Sequence, residues 1–296
     1  MTWKRVATAL VLIPVVVGLV LFASTAVVAV ATAVITVLAL WEYFALGEAI
    51  GHRAYRVWTI ICAMGIVFVQ WSVAHPRYLA AAAMEGDSEG IVQSVLREFA
   101  RFSMVYSTSN VFFLFVLGLM AAILWTKRPL VEALPAAGIS SSAILLVAFP
   151  LSYAVAIRGI PGYGPELLLF ALVITWAGDT TAYFVGRAIG KHPLAPHLSP
   201  KKSWEGSVGS MVGSLLVAWA FHYWIRIPIG HLVAMAVIGN VAGQMGDLLE
   251  SAYKRSAGVK DSGGLLPGHG GVLDRIDALI LCIPVIWYYL VLVNPG

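Results

Sequence analysis

The sequence predicts an all-α polytopic membrane protein, and three observations predict it. Hydrophobic residues make up 60% of the 296 residues and charged residues only 11%. A soluble domain of this size has too little interior to hide that much apolar side chain. The apolar residues fall into successive runs of roughly 20, the length of a membrane-spanning helix. The 19 Lys and Arg gather mostly in alternate gaps between those runs, as topology in a bilayer requires.

Nine spans are predicted, near residues 5–23, 26–46, 57–74, 109–126, 136–157, 166–186, 207–225, 231–253 and 273–293. Lys4 and Arg5 precede the first, as in a secretory leader, yet its apolar run continues almost unbroken toward Leu40. That exceeds the roughly 7–15 apolar residues of a leader, so a tight turn at 23–25 joins two spans. The third span follows Arg53 and Arg56, and the fourth ends at Lys127 and Arg128. Between them, 75–109 holds IVQSVLREFARFSMVY, whose apolar spacing suits a short interfacial helix. The fifth and sixth spans are parted by a short polar break, and polar loops at 187–206 and 254–272 introduce the seventh and the ninth. The chain thus divides into an N-terminal set of spans, 1–130, and a C-terminal region, 131–296, which holds the two polar loops and is the expected seat of function. Cys62 and Cys282 lie inside apolar runs and read as small buried hydrophobes, not as a disulfide or a metal site.

Orientation follows from charge. With the N-terminus in the cytoplasm, alternation through nine spans places Lys4, Arg5, Arg53, Arg56, Lys127, Arg128, Arg187, Lys191, Lys201, Lys202, Lys254, Arg255, Lys260 and Arg275 on the cytoplasmic side. The far side receives only Arg77, Arg97, Arg101, Arg158 and Arg226, so the expected topology is N-in, C-out. The loop at 75–109 is then non-cytoplasmic, while 187–206 and 254–272 face the compartment that holds nucleotides and Mg²⁺. Five of the six aspartates (Asp179, Asp247, Asp261, Asp274 and Asp277) lie in or beside those two loops. The short polar N-terminus suits a bacterial inner membrane.

The segment Ser251 to Asp277 carries the densest charge. Upstream, Asp247, Ser251 and Lys254 are spaced four and three apart and share one helix face. Asp274 and Asp277 open the ninth span on a common face, where two carboxylates repel unless a cation lies between them. With Asp247 they offer three oxygen ligands for Mg²⁺, leaving waters and substrate phosphates to complete the octahedron. Between these helices runs DSGGLLPGHGG, five glycines in eleven residues, which lets backbone N–H groups approach an anion. Lys254, Arg255 and Lys260 stand before it and Arg275 after it, so a nucleoside triphosphate suits the loop. His269 either donates to a phosphate or caps the turn. No GxxxxGK[ST] occurs, which excludes a P-loop.

The other cytoplasmic loop contains HLSPKKSWEGSVGS, residues 197–210. Ser199-Pro200 reads as a turn. Lys201 and Lys202, beside Ser203, suit an anionic lipid headgroup or a nucleotide phosphate. Asp179 lies within the sixth span, with Tyr183 one turn on, and an intramembrane carboxylate is a functional candidate by default.

These segments together resemble the CDP-diacylglycerol synthases, or phosphatidate cytidylyltransferases. The signature S-x-x-K-R-x4-K-D-x-G-x-x-L-P-G-H-G-G-x-x-D-R-x-D is matched from Ser251 to Asp277, and DTTAYFVGR and SPKKSWEG also resemble the family, with Ser203 where Thr is common. The resemblance covers about residues 170–280 and carries no functional residue in the N-terminal half. It implies that CTP and phosphatidic acid give CDP-diacylglycerol and pyrophosphate, at a membrane lipid interface, in a homodimer that binds no nucleic acid. It implies Mg²⁺, with K⁺ as a possible second metal, on Asp247, Asp274 and Asp277. Lys254, Arg255, Lys260, Asp261, His269 and Arg275 are then expected at the reacting phosphates. Substrate contacts are expected from Asp179, Lys201, Lys202, Ser203, Ser251, Gly270 and Gly271.

Two other readings are weaker. The D-G-x2-A-R-x8-G-x3-D-x3-D pattern of CDP-alcohol phosphotransferases is absent, whereas a CTP-dependent polyprenol kinase would share the nucleotide and release CDP. An ion-coupled transporter would place its carboxylates near mid-membrane in related halves; here they crowd one edge of the C-terminal half.

Overall fold

A computed structural model describes residues 2–74, 107–265 and 270–293, with side chains described from Leu10 onward. The expected interfacial helix within 75–109 and His269 lie outside the described residues. The chain is a helical membrane protein whose elements follow the predicted order. They are α1 (Thr2–Phe22), α2 (Thr25–Ala49), α3 (Arg56–Val73) and α4 (Thr108–Trp125). Then come α5 (Leu130–Arg158), α6 (Gly164–Ile189), α7 (Trp204–His222), α8 (Ile229–Ser256) and α9 (Leu273–Val293). Among the described residues, seven helices are long and apolar enough to cross a membrane: all of these except α1 and α7. The described part of α1, Leu10–Phe22, is apolar but shorter, and α7 is diluted by Glu205, Ser207, Ser210 and Ser214.

Local chemistry sets the helix ends. Ser24 and Ser107 cap α2 and α4, accepting from Val27 N and Asn110 N, as N-cap hydroxyls do. Pro165 opens α6 in the first turn, where its missing N–H costs nothing. In α5 the turn Ile144–Ala148 is a π-helix just before Pro150. The proline ring would meet the carbonyl of residue 146 in a regular helix, and the wider turn relieves that contact.

Helices α6, α7, α8 and α9 pack on one another, α5 closes behind α9, and α2 and α3 lean on α5. The core lies where α5, α6, α8 and α9 meet, with Ile157, Leu167, Phe170, Ile174, Met235 and Ile286 fully buried. Small residues let α8 approach closely: a Cβ at Gly239 would lie 2.9 Å from Ile174 Cδ1. Both cysteines are free and buried, as expected.

One element departs from the sequence reading. Pro193–Ala195 (β1) and Ser199–Ser203 (β2) form an antiparallel hairpin between α6 and α7. The turn falls at 196–198, with Leu198 N donating to Ala195 O at 3.2 Å, so Ser199-Pro200 begins a strand rather than making the turn. Pro200 has no N–H to give a ladder and sits on the outer edge of a two-stranded ribbon, where none is needed. Ser203 ends the strand and caps α7, accepting from Gly206 N at 3.1 Å.

Candidate active site

The glycine loop is clasped by carboxylates at both ends. Asp274 Oδ2 accepts from Ser262 N at 3.0 Å and Gly271 N at 2.8 Å, and Asp274 Oδ1 accepts from Lys254 Nζ at 2.5 Å. The same ammonium meets Glu250 Oε2, one turn back on α8. Lys254 and Glu250 are both buried, so one cation answers two carboxylates in a site with little water. Glu42, on α2, completes the clasp. Its Oε1 accepts from Val272 N at 2.9 Å, and its Oε2 from Leu273 N at 2.8 Å and Ser262 Oγ at 3.1 Å.

A polar cavity of about 320 Å³ opens above this clasp. It is lined by Asp179 from α6, by Asp247, Ser251, Lys254 and Arg255 from α8, by Lys260 and Asp261 from the loop, and by Asp274, Arg275 and Asp277 from α9. Every one of these was predicted from sequence. Lys260, Asp261 and Arg275 are exposed and face the opening. Arg255 spends its guanidinium on backbone, Nη1 donating to Val259 O at 3.0 Å and Nε to Leu198 O at 3.3 Å. It therefore ties the hairpin turn to the end of α8.

A second cavity, about 480 Å³, lies beside the first and shares Asp179 and Asp247 with it. Its walls include Tyr183, Arg187, Lys201, Lys202, Ser203 and Leu194, with Ser207, Ser210 and Gln244 deeper in. Lys202 forms an ion pair with Asp247, joining the hairpin to α8 at the junction of the cavities. Outside the seven spans, Glu205 stabilises the hairpin base. Its Oε2 accepts from Lys191 N and His192 N, and its Oε1 meets His192 Nδ1 at 2.6 Å. Its own backbone N–H and His192 hold the Glu205 carboxyl well below the usual carboxylate range.

The three aspartates expected to hold Mg²⁺ are placed differently from one another in this geometry. Among the described residues, no three His, Cys, Asp or Glu converge as a ready-made cation cage. Asp247, Asp274 and Asp277 do line one cavity, but both oxygens of Asp274 are taken by Lys254 and the loop amides. Asp179 and Asp247 line both cavities, and Asp277 lines the polar one. Mg²⁺ keeps several waters and binds through one or two carboxylates plus substrate phosphates. The oxygen donors Asp179, Asp247 and Asp277 fit that use; Asp274 serves the loop. Gly270 and Gly271 also serve the loop: Gly270 has φ +78°, and Gly271 gives its N–H to Asp274.

Sequence reasoning missed Glu42 and left Glu250 without a role. Glu42 lies within the apolar run of α2, whereas Glu48 near its end pairs with Arg53 and Arg56, and a carboxylate inside the span was the available signal.

A model of the Cytidylyltransferase family matches residues 3–293. This chain belongs to that family. Among relatives of the cytidylyltransferase family, a phosphatidate cytidylyltransferase of Bacillus subtilis (strain 168) is 40% identical over 157 residues, 52% of this chain and 58% of the relative. One from Haemophilus influenzae is 41% identical over 172 residues, 56% of this chain and 59% of the relative. One from Staphylococcus saprophyticus is 44% identical over 125 residues, 42% of this chain and 48% of the relative. The chain thus spans about half to three fifths of the length of the curated relatives it matches.

Proposed function

We propose that this chain is a phosphatidate cytidylyltransferase, transferring CMP from CTP to phosphatidic acid with release of pyrophosphate. The observation that carries the reading is the pair of joined cavities. The polar cavity, ringed by Lys254, Lys260 and Arg275, suits a triphosphate. Its neighbour combines Tyr183 and Leu194 with Arg187, Lys201 and Lys202, which suits a lipid with a phosphate headgroup. They meet at Asp179 and Asp247, where attacking and leaving groups would come together. The reading includes nine spans, N-in and C-out, with the site facing the cytoplasm of a bacterial cell, and a homodimer.

In this mechanism a phosphatidate oxygen attacks the α-phosphorus of CTP. The new P–O bond forms as the bond to the β-phosphate oxygen breaks, and pyrophosphate carries the charge away. The phosphatidate oxygen is already anionic, so no general base is needed; the barrier is repulsion between two anions. Lys201 and Lys202 hold the lipid phosphate, and Lys260 and Arg275 the triphosphate, which keeps the reacting atoms in line. Asp247, Asp277 and Asp179 would hold Mg²⁺. When bound, Mg²⁺ supplies charge neutralisation on the phosphate oxygens. K⁺, the second metal implied by the family resemblance, is tested by activity in Na⁺ against K⁺ salts.

The deciding experiment is an assay of purified protein in detergent with phosphatidic acid, Mg²⁺ and α-³²P-labelled CTP. Label in a chloroform-soluble CDP-lipid, with equal pyrophosphate, is the expected result. Label retained in water as CDP, with a phosphorylated lipid, would favour a CTP-dependent lipid kinase.

A further inference from the structure

Glu42 is 7% exposed and sits in the half of the chain from which the sequence offers no site residue. Its two oxygens receive three donors, and those donors come from both ends of the glycine loop: Ser262 at the start, Val272 and Leu273 at the finish. The fit is close enough to exclude side chains, since a Cβ on Gly263 would stand 2.6 Å from Glu42 Oε1. Val272 and Leu273 lie at the N-terminus of α9, where free N–H groups and the helix dipole favour a carboxylate.

The helix that carries Glu42 is itself held. Next to it, Tyr43 OH donates to Ser142 Oγ on α5 at 2.9 Å, and the Tyr43 ring meets Tyr253 on α8 edge-on at 5.6 Å. A residue needed only to fill this space would be apolar, because a buried carboxylate is costly unless its acceptors are used in full. Glu42 uses both oxygens on backbone and hydroxyl donors that govern where α9 begins. From that first turn project Asp274, Arg275 and Asp277.

We propose that Glu42 is a positioning residue for the reaction: it fixes the loop at Ser262 and the first turn of α9, and through them sets Arg275 and Asp277 against the polar cavity. The inference rests on the cytidylyl-transfer reading for its effect on rate, but not for its effect on α9.

The test compares Glu42→Gln and Glu42→Asp with the full unmodified chain in detergent, by kinetics, thermal unfolding and amide hydrogen exchange. In Glu42→Gln the new NH₂ confronts an N–H donor. The expected result is a fall in kcat of about 10- to 100-fold from misplacement, a raised KM for CTP because Arg275 holds the triphosphate, and faster exchange confined to residues 262–265 and 270–277. Glu42→Asp keeps the charge and should recover part of the rate. Ser262→Ala, which removes one donor and leaves the carboxylate, should show smaller changes of the same sign. Unchanged exchange at 262–265 and 270–277 would overturn the proposal. So would exchange rising evenly through all helices with a lower melting temperature, which marks a purely structural role. If the unmodified chain makes no CDP-lipid, the reaction reading fails, while the exchange contrast still decides whether Glu42 holds α9.

Discussion

Lys254 Nζ lies 2.5 Å from Asp274 Oδ1 across the junction of α8 and α9. The pair is the pivot of the site, because the same ammonium answers Glu250 and the same carboxylate gathers Ser262 and Gly271. Lys254 therefore does for α8 and the loop what Glu42 does for α2 and the loop. Its charge is committed to the scaffold; of the exposed cations that line the polar cavity, Arg255 is tied to backbone, and Lys260 and Arg275 face the opening.

Removing that cation strands two buried carboxylates. Lys254→Met should destabilise the protein by about 3–5 kcal/mol, the cost of breaking a buried ion pair from one side, and abolish turnover. Thermal unfolding in detergent measures the first. The double variant Lys254→Met with Glu250→Gln should recover part of the stability and none of the activity. Full stability in the single variant would show that the three groups are not coupled.

Lys202 and Asp247 make the opposite case. Each side chain is 28% exposed, and a pair so placed contributes about 0–1 kcal/mol. Lys202→Ala should therefore leave the melting temperature nearly unchanged while turnover falls about 100-fold, as for loss of one group that stabilises transferring charge. Asp247→Ala and Asp277→Ala should do the same or more, with normal membrane insertion. Near-normal activity of either aspartate variant at limiting Mg²⁺ would remove that aspartate from the cation site.

How much of this was legible in the sequence depends on distance along the chain. Helix positions follow from hydropathy, which is local, and all ten residues of the polar cavity come from α6, α8, α9 and the single loop that joins the last two. Spacing alone put Asp274 and Asp277 on one face. Spacing could not say that Asp274 would turn to the loop amides, because that depends on where Lys254 and Ser262 fold. Glu42 meets Leu273 across 231 positions, and no periodicity encodes such a pair. The hairpin was also hidden, since Pro200 reads as a turn residue until the strand edge it occupies is known.

Beneath the second cavity a polar ladder crosses three helices. Ser207 Oγ donates to Gln244 Oε1 at 2.5 Å, Gln244 Nε2 to Asn240 Oδ1 at 2.7 Å, and Asn240 Nδ2 to Ser210 and Ser214 Oγ, each at 2.8 Å. Ser214 Oγ then donates to Ile174 O on α6 at 3.0 Å. Hydrogen bonds between membrane helices contribute on the order of 1 kcal/mol each. Asn240→Leu should cost about 1–3 kcal/mol because its partners lose their bonds as well. Ser214→Ala should cost less. Unfolding of α6–α8 in detergent and sodium dodecyl sulfate mixtures would rank them, and equal stability would show the ladder to be dispensable.

The spacing between Asp247 and Asp277 is set by a glycine. Gly246 faces the Asp277 carbonyl so closely that an added Cβ would collide with backbone, which cannot rotate out of the way. Gly246→Ala must therefore push α9 from α8 at the level of the cavity. One turn earlier, a Cβ at Gly243 would meet Ala278 O at 3.4 Å, an ordinary contact. Because the proposed reaction depends on holding anions in line, a displacement near 1 Å can cost about 100-fold in rate. Gly246→Ala should thus lose turnover by about that factor, with Gly243→Ala close to the unmodified chain. Cysteine pairs placed at the exposed Lys260 and Arg275 would report the movement by cross-linking. Equal rates for the two alanine variants would mean that the helix separation is not what aligns the carboxylates.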